Sequence, residues 1–400
     1  VRVWWGSSVG ATPFEGTLTV RSRTVPAVLA ATTLLLAAGC SSDGGDGRGA
    51  PSGGLVTATA QSPSETAPPA KGSVQVLRTV AEGLKSPWGL APLPDGNLLV
   101  SSRDDATLTR IDARTGKKTV AGRISGVEPA GEGGLLGIAL SPGFASDHMV
   151  YAYFTSASDN RVVRVRYDEK RAPGDQLGAP DTVFKGIPKG RIHNGGRIAF
   201  GPDGMLYVGT GESGESGLAP DKKSLGGKIL RITPEGEPAP GNPLGRSPVY
   251  SYGHRNVQGL AWDKQQRLFA SEFGQDTWDE LNAIKPGGDY GWPGTEGKGT
   301  DARLQNPLAQ WHTDEASPSG IAYVDGVIWM AGLRGERLWR VPLRSTSASA
   351  PPQAFLKGEY GRLRTVAPAG QDRLWLLTSN TDGRGDPGKA DDRLLELRVR

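Results

Sequence analysis

The chain holds four histidines, His148, His193, His254 and His312, few enough for each to be placed. His193 opens His193-Asn194-Gly195-Gly196-Arg197, directly before a stretch of strand character. A neutral imidazole, with an ordinary pKa of about 6.5, is matched to taking a proton at neutral pH. The competing role for such a histidine is a structural hydrogen-bonder. Tyr252-Gly253-His254-Arg255-Asn256 precedes another such stretch and adds a fixed cation and an amide. Arg334, Arg362 and Arg364 occupy corresponding places further on, and the last two, two residues apart, share one face of an extended segment. Converging guanidinium groups suit a ligand with several carboxylates, whereas dispersed ones are only solvated surface. The run from Glu272 to Asn282, with Gly287 to Pro293, offers carboxylate and carbonyl oxygens to a Ca²⁺ ion, although it matches no EF-hand loop. Gly209-Thr210-Gly211-Glu212-Ser213-Gly214 fits G-x-G-x-x-G, but no amphipathic helix or βαβ unit accompanies it, so a dinucleotide site is not expected. Its Glu212 matters more as a carboxylate at a strand end.

Something must bring these dispersed groups together, and the chain supplies it by repetition. An aliphatic residue followed by Ala recurs as Leu90-Ala91, Ile138-Ala139, Ile198-Ala199, Leu260-Ala261, Ile321-Ala322 and Val366-Ala367, at separations of 48, 60, 62, 61 and 45 residues. After each comes a turn and a strand rich in aliphatic and aromatic residues, such as Val150 to Phe154 or Val327 to Met330. Third strands include Leu108 to Ile111, Val162 to Val165, Ile229 to Ile232 and Leu338 to Val341. Four-stranded units at this spacing predict an all-β fold, a six-bladed β-propeller of antiparallel blades. A pair of β-sandwiches accounts less well for six similar units in one run. A strand near Val74 to Val80 is expected to complete the last blade and close the ring. Propellers present ligands at the mouth of the central channel, where residues flanking the inner strands converge. His193, His254 and His312 are each expected near an inner strand, and His148 in a turn within a blade.

Composition narrows the partners. Lys and Arg number 46 against 42 Asp and Glu, and removing residues 1–39 leaves 43 against 41, so no nucleic-acid footprint is present. A single cysteine excludes an intramolecular disulfide framework, a cysteine-based zinc cluster and an iron–sulfur site.

The amino terminus reads as an address. Arg21 and Arg23 precede an apolar run from Val25 to Ala38, too short for a span of about 20 residues but suited to a signal peptide. It ends Leu36-Ala37-Ala38-Gly39-Cys40, similar to a bacterial lipobox whose cysteine is acylated. Residues 1–39 are therefore expected to be removed, with translation starting near Val20. Residues 40–72 read as a lipidated cysteine and a Gly-, Ser- and Pro-rich tether reaching roughly 30 Å, and 73–400 as the folded domain. The location implied is that of a membrane-anchored lipoprotein facing outside the cytoplasm.

In order and spacing, the motifs from residue 74 onward resemble those of the PQQ-dependent aldose sugar dehydrogenases, related to the soluble PQQ glucose dehydrogenase. The resemblance runs through Glu132-Gly-Gly-Leu-Leu-Gly137 with Pro142 and Phe144, His193 to Arg197, Gly211-Glu212 and Tyr252 to Asn256. It continues in Asp279 to Asn282, Tyr290-Gly-Trp-Pro293 and Gly361-Arg-Leu-Arg364. It implies that His193 takes the proton from the anomeric hydroxyl of an aldose while hydride moves to the PQQ quinone, yielding a lactone. Glu212 would orient His193, Arg255 would stabilise charge on the quinone oxygen, and Asn256, Arg334, Arg362 and Arg364 would hold PQQ. Carbonyl oxygens of Gly274 and Gln275 would bind the Ca²⁺ that polarises the quinone, and Glu280 with the Tyr290 carbonyl a second, structural Ca²⁺.

Two departures bear on the site. Arg334 stands where the glucose enzyme has Lys, and Glu132 where it has Gln, adding a negative charge near the sugar. Loops shaping the glucose pocket and the dimer contact are shorter, which puts strict glucose specificity and dimerisation in question. The electron acceptor is not named by the sequence. Two other readings remain open: a metal-dependent hydrolase or lactonase, which needs a carboxylate and Asn cage at the channel centre, and a non-catalytic propeller that binds a glycan or a protein.

Overall fold

The computed structural model describes residues 67–400. The proposed signal segment and Cys40 lie outside the described residues.

Six antiparallel sheets follow one another along the described chain. Blade 1 is β2 (Pro87–Pro92), β3 (Leu98–Ser102), β4 (Thr107–Ile111) and β5 (Lys118–Arg123); blade 2 is β6 (Leu135–Leu140), β7 (Met149–Thr155), β8 (Asn160–Arg166) and β9 (Asp181–Ile187). Blade 3 is β10 (Ile198–Phe200), β11 (Leu206–Gly209), β12 (Lys228–Ile232) and β13 (Val249–Tyr252); blade 4 is β14 (Val257–Trp262), β15 (Leu268–Glu272), β16 (Trp278–Ile284) and β17 (Ala309–His312). In blade 5, β18 (Pro318–Val324), β19 (Val327–Gly332) and β20 (Arg337–Arg344) precede two short strands, β21 (Ser347–Ala348) and β22 (Gln353–Phe355), that both pair with β20. Blade 6 is β23 (Leu363–Gly370), β24 (Arg373–Thr378), β25 (Leu394–Val399) and, on the outside, β1 (Val74–Ala81). The expected ring closure is seen: β1 pairs with β25 in a ladder from Val74 opposite Val399 to Ala81 opposite Leu394. Before this ladder, the carbonyls of Pro69 and Ala70 accept hydrogen bonds from the buried Arg340.

Each aliphatic-Ala pair falls on an inner strand, as the repeat predicts. The close approach of the blades, however, is granted by the residue before the pair. Gly89, Gly137, Gly259 and Gly320 sit where a Cβ would lie within 2.2 to 2.9 Å of the next blade's main chain. A larger residue there would force the inner strands apart. Hydroxyls then stitch neighbouring blades: Ser101 Oγ donates to Leu136 O, Ser271 Oγ to Ser319 O, and Thr365 Oγ1 to Trp88 O across the closing seam. Between blades lie dry clusters of alternating strand residues, for example Leu99, Leu108, Val150, Ala152 and Val163 between blades 1 and 2. Burying one such Leu or Val stabilises by about 1.5–3 kcal/mol, and the pattern repeats around the ring, so the inner strands are held rigidly enough to fix side chains at their ends.

Candidate active site

Chain segments that enter the inner strands converge on one mouth of the channel with the turns between second and third strands, around a cavity of about 610 Å³; Arg334 comes from such a turn, between β19 and β20, and not from a segment before an inner strand as expected. The cavity wall includes Glu132, His193, Arg255, Arg334, Arg362 and Arg364, gathered from five blades.

His193 is placed by a turn that only its neighbours allow. His193, Gly195 and Gly196 all have positive φ, and a Cβ on Gly195 or Gly196 would meet Thr210 or Leu136 at 2.5 to 2.6 Å. Its amide donates to Glu132 Oε2 at 2.9 Å. Its Nδ1 is hydrogen-bonded to Glu212 Oε1. Both side chains are largely shielded from water, at 13% and 3% exposure. An ionised carboxylate can only accept, so Nδ1 carries the proton and Nε2 is the nitrogen able to take another. Such a pair has the geometry of an imidazole oriented by a carboxylate and free to accept a proton at Nε2.

Opposite lies the basic wall. Arg362 and Arg364 both reach Asp382 Oδ2, at 3.0 and 3.3 Å. Burial raises the Asp382 carboxyl, but Arg364 and Arg362 outweigh it and hold it below its ordinary range. Arg364 also donates to Gln258 Oε1 at 3.3 Å, and burial pushes it down to about 10. Beneath it Arg197 donates to Gln258 O and Thr365 Oγ1 and lies 4.3 Å from the Trp88 ring centre. Burial, then repulsion from Arg364, pushes Arg197 down to about 9, so it stays cationic at neutral pH. Arg255 is lowered by burial as well; its Nη1 reaches Phe273 O at 3.3 Å, while its buried Nε has no protein partner among the described residues. Six arginines against two carboxylates line this cavity. Arg255, Arg362 and Arg364 are buried while Arg334 and Arg384 are exposed at the rim, and the net positive charge suits a polyanion.

The site differs from the sequence-based expectation at several residues. Asn256 is fully buried behind the wall: its Oδ1 accepts from Gly195 N and Gln258 Nε2, while Nδ2 lacks a partner among the described residues. The Glu132 charge is taken up by Arg384, 2.8 Å away, because the loop after β24 folds back over the cavity rim. Gly274, Glu280 and Tyr290 meet around a narrow crevice beside Arg255, but Gln275 faces a separate open recess with Asp276, His312 and Asp314. His312 ends the outer strand β17, at the edge of its blade and not near the inner strand as expected, and stacks on Trp278 at 4.2 Å. It sits there because β17 is the fourth strand of its blade. His148 does lie in a turn within blade 2, between β6 and β7. Sequence reasoning missed Trp88, Arg103, Gln258, Asp382 and Arg384; a signal existed only for Asp382, in the polar run Ser379-Asn380-Thr381-Asp382 that follows β24.

The residues proposed for Ca²⁺ show charge without a cage. Burial, then Glu272, pushes Glu280 up to about 8, and burial pushes Asp279 up to about 7, as expected of acids short of a cation. Yet Glu280 is hydrogen-bonded to Gly297 N and Asn282 Nδ2, and no group of three or more acidic, His or Cys side chains is arranged to hold a metal among the described residues. Main-chain carbonyls would have to supply ligands.

A six-bladed propeller thus gathers a histidine–carboxylate pair and several arginines at one mouth of its channel. A family model described as glucose/sorbosone dehydrogenase matches residues 84–389, and the chain belongs to that family. Among solved structures it is similar to the PQQ-bound form of the aldose sugar dehydrogenase from Streptomyces coelicolor, with 77% identity and a TM-score of 0.83 over 84% of this chain and all of that one. A glucose dehydrogenase-type oxidoreductase of Thermus thermophilus is 45% identical, with a TM-score of 0.74, over 82% of this chain and all of that one. The aldose sugar dehydrogenase of Escherichia coli is 30% identical over 348 residues, 79% of this chain and 92% of that protein.

Proposed function

We propose that the protein is a PQQ-dependent dehydrogenase that oxidises aldoses at C1 to lactones. One observation carries this reading: His193, bonded from behind by Glu212, shares a single cavity with Arg255, Arg362 and Arg364. The surplus positive charge and the unpartnered Arg255 Nε fit the three carboxylates and the quinone oxygens of PQQ. When bound, the cofactor supplies the acceptor for the hydride that leaves C1. His193 Nε2 takes the proton of the anomeric hydroxyl, and Glu212 stabilises the imidazolium that results. Arg362 and Arg364, locked by Asp382, hold carboxylates in fixed geometry. Arg255 presents positive charge where negative charge grows, in a site with little water to screen it. Asn256 acts one layer back, keeping the His193 turn in place through Gly195. Arg334 stands at the rim, where it can meet a carboxylate. Ca²⁺ would sit at the Gly274 and Gln275 carbonyls, with a second ion near Glu280 and the Tyr290 carbonyl.

A cavity with this cationic surplus argues against a hydrolase, whose metal cage would be acidic, and the buried dyad argues against a binding-only propeller. The test is reconstitution. Adding PQQ and Ca²⁺ to the apo-protein should restore aldose-dependent dye reduction, with PQQ binding seen by fluorescence quenching. Absence of both binding and turnover with every aldose tried would end the assignment. The reading also places the enzyme outside the cytoplasm, tethered through acylated Cys40. Incorporation of labelled fatty acid that survives Cys40→Ala would refute that anchor.

A further inference from the structure

We infer that Ser251, His254 and Glu272 form a buried positioning relay that sets the main chain of Arg255 and, through it, the His193–Glu212 dyad; the inference rests on the reading of that site proposed above. The three come from different places. Ser251 is on β13, the outer strand of blade 3, His254 is in the segment between blades, and Glu272 ends β15 of blade 4. None exceeds 4% exposure.

Their hydrogen bonds form one path. Ser251 Oγ lies 2.8 Å from His254 Nε2, and His254 Nδ1 lies 2.7 Å from Glu272 Oε2. The other oxygen of Glu272 accepts the Arg255 amide at 2.5 Å. A carboxylate accepting at both oxygens requires a proton on His254 Nδ1; in the neutral ring Nε2 then accepts from the serine hydroxyl. The path continues beyond Arg255, whose carbonyl accepts the Glu212 amide at 2.9 Å; Glu212 in turn grips His193. The peptide groups flanking Arg255 are therefore held on one side by Glu272 and on the other by the residue that orients the base. The His254 ring is stacked on Tyr290 with centroids 4.5 Å apart, and the Tyr290 hydroxyl is itself fixed to Ala283 O and Lys285 N.

The arrangement matters because the Arg255 guanidinium has little holding it directly. Its protein hydrogen bond is the 3.3 Å contact to Phe273 O, Nε has none among the described residues, and the group otherwise lies over the Trp292 ring, 5.5 Å from its centre, a contact that leaves its aim loosely set. Its aim is thus inherited from its main chain. A buried charged network is weak evidence for stability, since packed apolar residues often serve as well. Here it joins two elements of the site across a blade boundary.

The experiment uses the full chain and two variants, Ser251→Ala and Glu272→Gln, read without cofactor and after loading with PQQ. In the cofactor-free protein, the low-field proton resonance of His193 Nδ1 should shift in Glu272→Gln and, by less, in Ser251→Ala. After loading, Glu272→Gln should lower kcat by about 10- to 100-fold with the sugar KM within about threefold, the pattern of a lost transition-state interaction. Ser251→Ala, which keeps the histidine and the carboxylate, should cost about two- to fivefold in kcat, a modest loss for one hydrogen bond. PQQ should also bind more weakly to Glu272→Gln. The relay is overturned if both variants, or Ser251→Ala alone should Glu272→Gln not fold, melt at lower temperature while the His193 resonance stays in place. If wild-type protein neither binds PQQ nor turns over an aldose, the functional reading falls, yet the His193 resonance of the cofactor-free protein still decides the relay.

Discussion

The two ends of the axial channel are made by the same six inner strands and could hardly differ more. At the mouth, a cavity of about 610 Å³ carries six arginines, two carboxylates and the catalytic candidate His193. At the far end, a cavity of about 330 Å³ is lined by Leu90, Ile138, Ile198, Leu260, Ile321 and Val366, one from each blade. Arg197, with Trp88 and Thr365, separates them. The far end repeats because every inner strand must pack against the next. The mouth does not repeat, since the residues just before each inner strand are free of that packing and can carry chemistry.

Five substitutions and one titration would break or sharpen this contrast. His193→Gln should have the largest effect, lowering kcat by about 10²–10⁴-fold, the usual contribution of a general base, while PQQ binding persists. A fall below about tenfold would remove His193 as the base. Arg364→Met keeps most of the side-chain volume but removes a buried cation; PQQ affinity, by fluorescence titration, should fall by at least about tenfold, since truncating one partner of a buried charge pair costs about 2–5 kcal/mol. Leu260→Ala, at the far end, should lower stability by about 2–5 kcal/mol in denaturant unfolding, with kcat and KM within about twofold. If it slowed turnover as much as a mouth variant does, the division between the ends would not be functional.

Calcium gives a subtler test. The Asp279 and Glu280 carboxyls lie well above unfolded values of about 4, at about 7 and about 8. Folded protein therefore keeps protons that the unfolded chain has lost, a contribution fully present below about pH 4 and lost as pH rises through about 7 to 8. If Ca²⁺ binds beside them, it competes with those protons. The rise in Tm on adding Ca²⁺ should be larger at pH 8 than at pH 5, and Glu280→Gln should flatten the difference. An equal rise at both pH values would place the ion elsewhere. The smallest effect is expected at Arg384→Ala. Its pair with Glu132 is part-exposed, at 60% and 26%, so stability should change by no more than about 1 kcal/mol. Because the pair closes over the rim, sugar KM should rise by about two- to fivefold, the scale of a lost hydrogen bond; an unchanged KM would mean that the strap does not touch the sugar.

The order of motifs along the chain already carried the ring, its six blades and its closure by the first strand. Short-range patterning decides those features: an aliphatic-Ala pair, a turn and a second strand recur because each blade must bury the same two faces. His193, Glu212, Arg255, Arg362 and Arg364 were legible for a related reason, lying at strand ends beside glycines that only a tight turn requires. His312 was misplaced because its distance from the nearest inner strand says nothing about which of four strands it occupies.

What the tertiary structure alone decided is the pairing of charges. Asp382 lies 18 residues after Arg364 and Glu132 lies 252 residues before Arg384; nothing local in the sequence joins either pair. The same holds for the Ser251, His254 and Glu272 path, which crosses from one blade to the next. Sequence fixes which side chains can ionise or donate. Folding decides which of them are taken out of water together, and burial is what turns an arginine, a histidine and a carboxylate into a site.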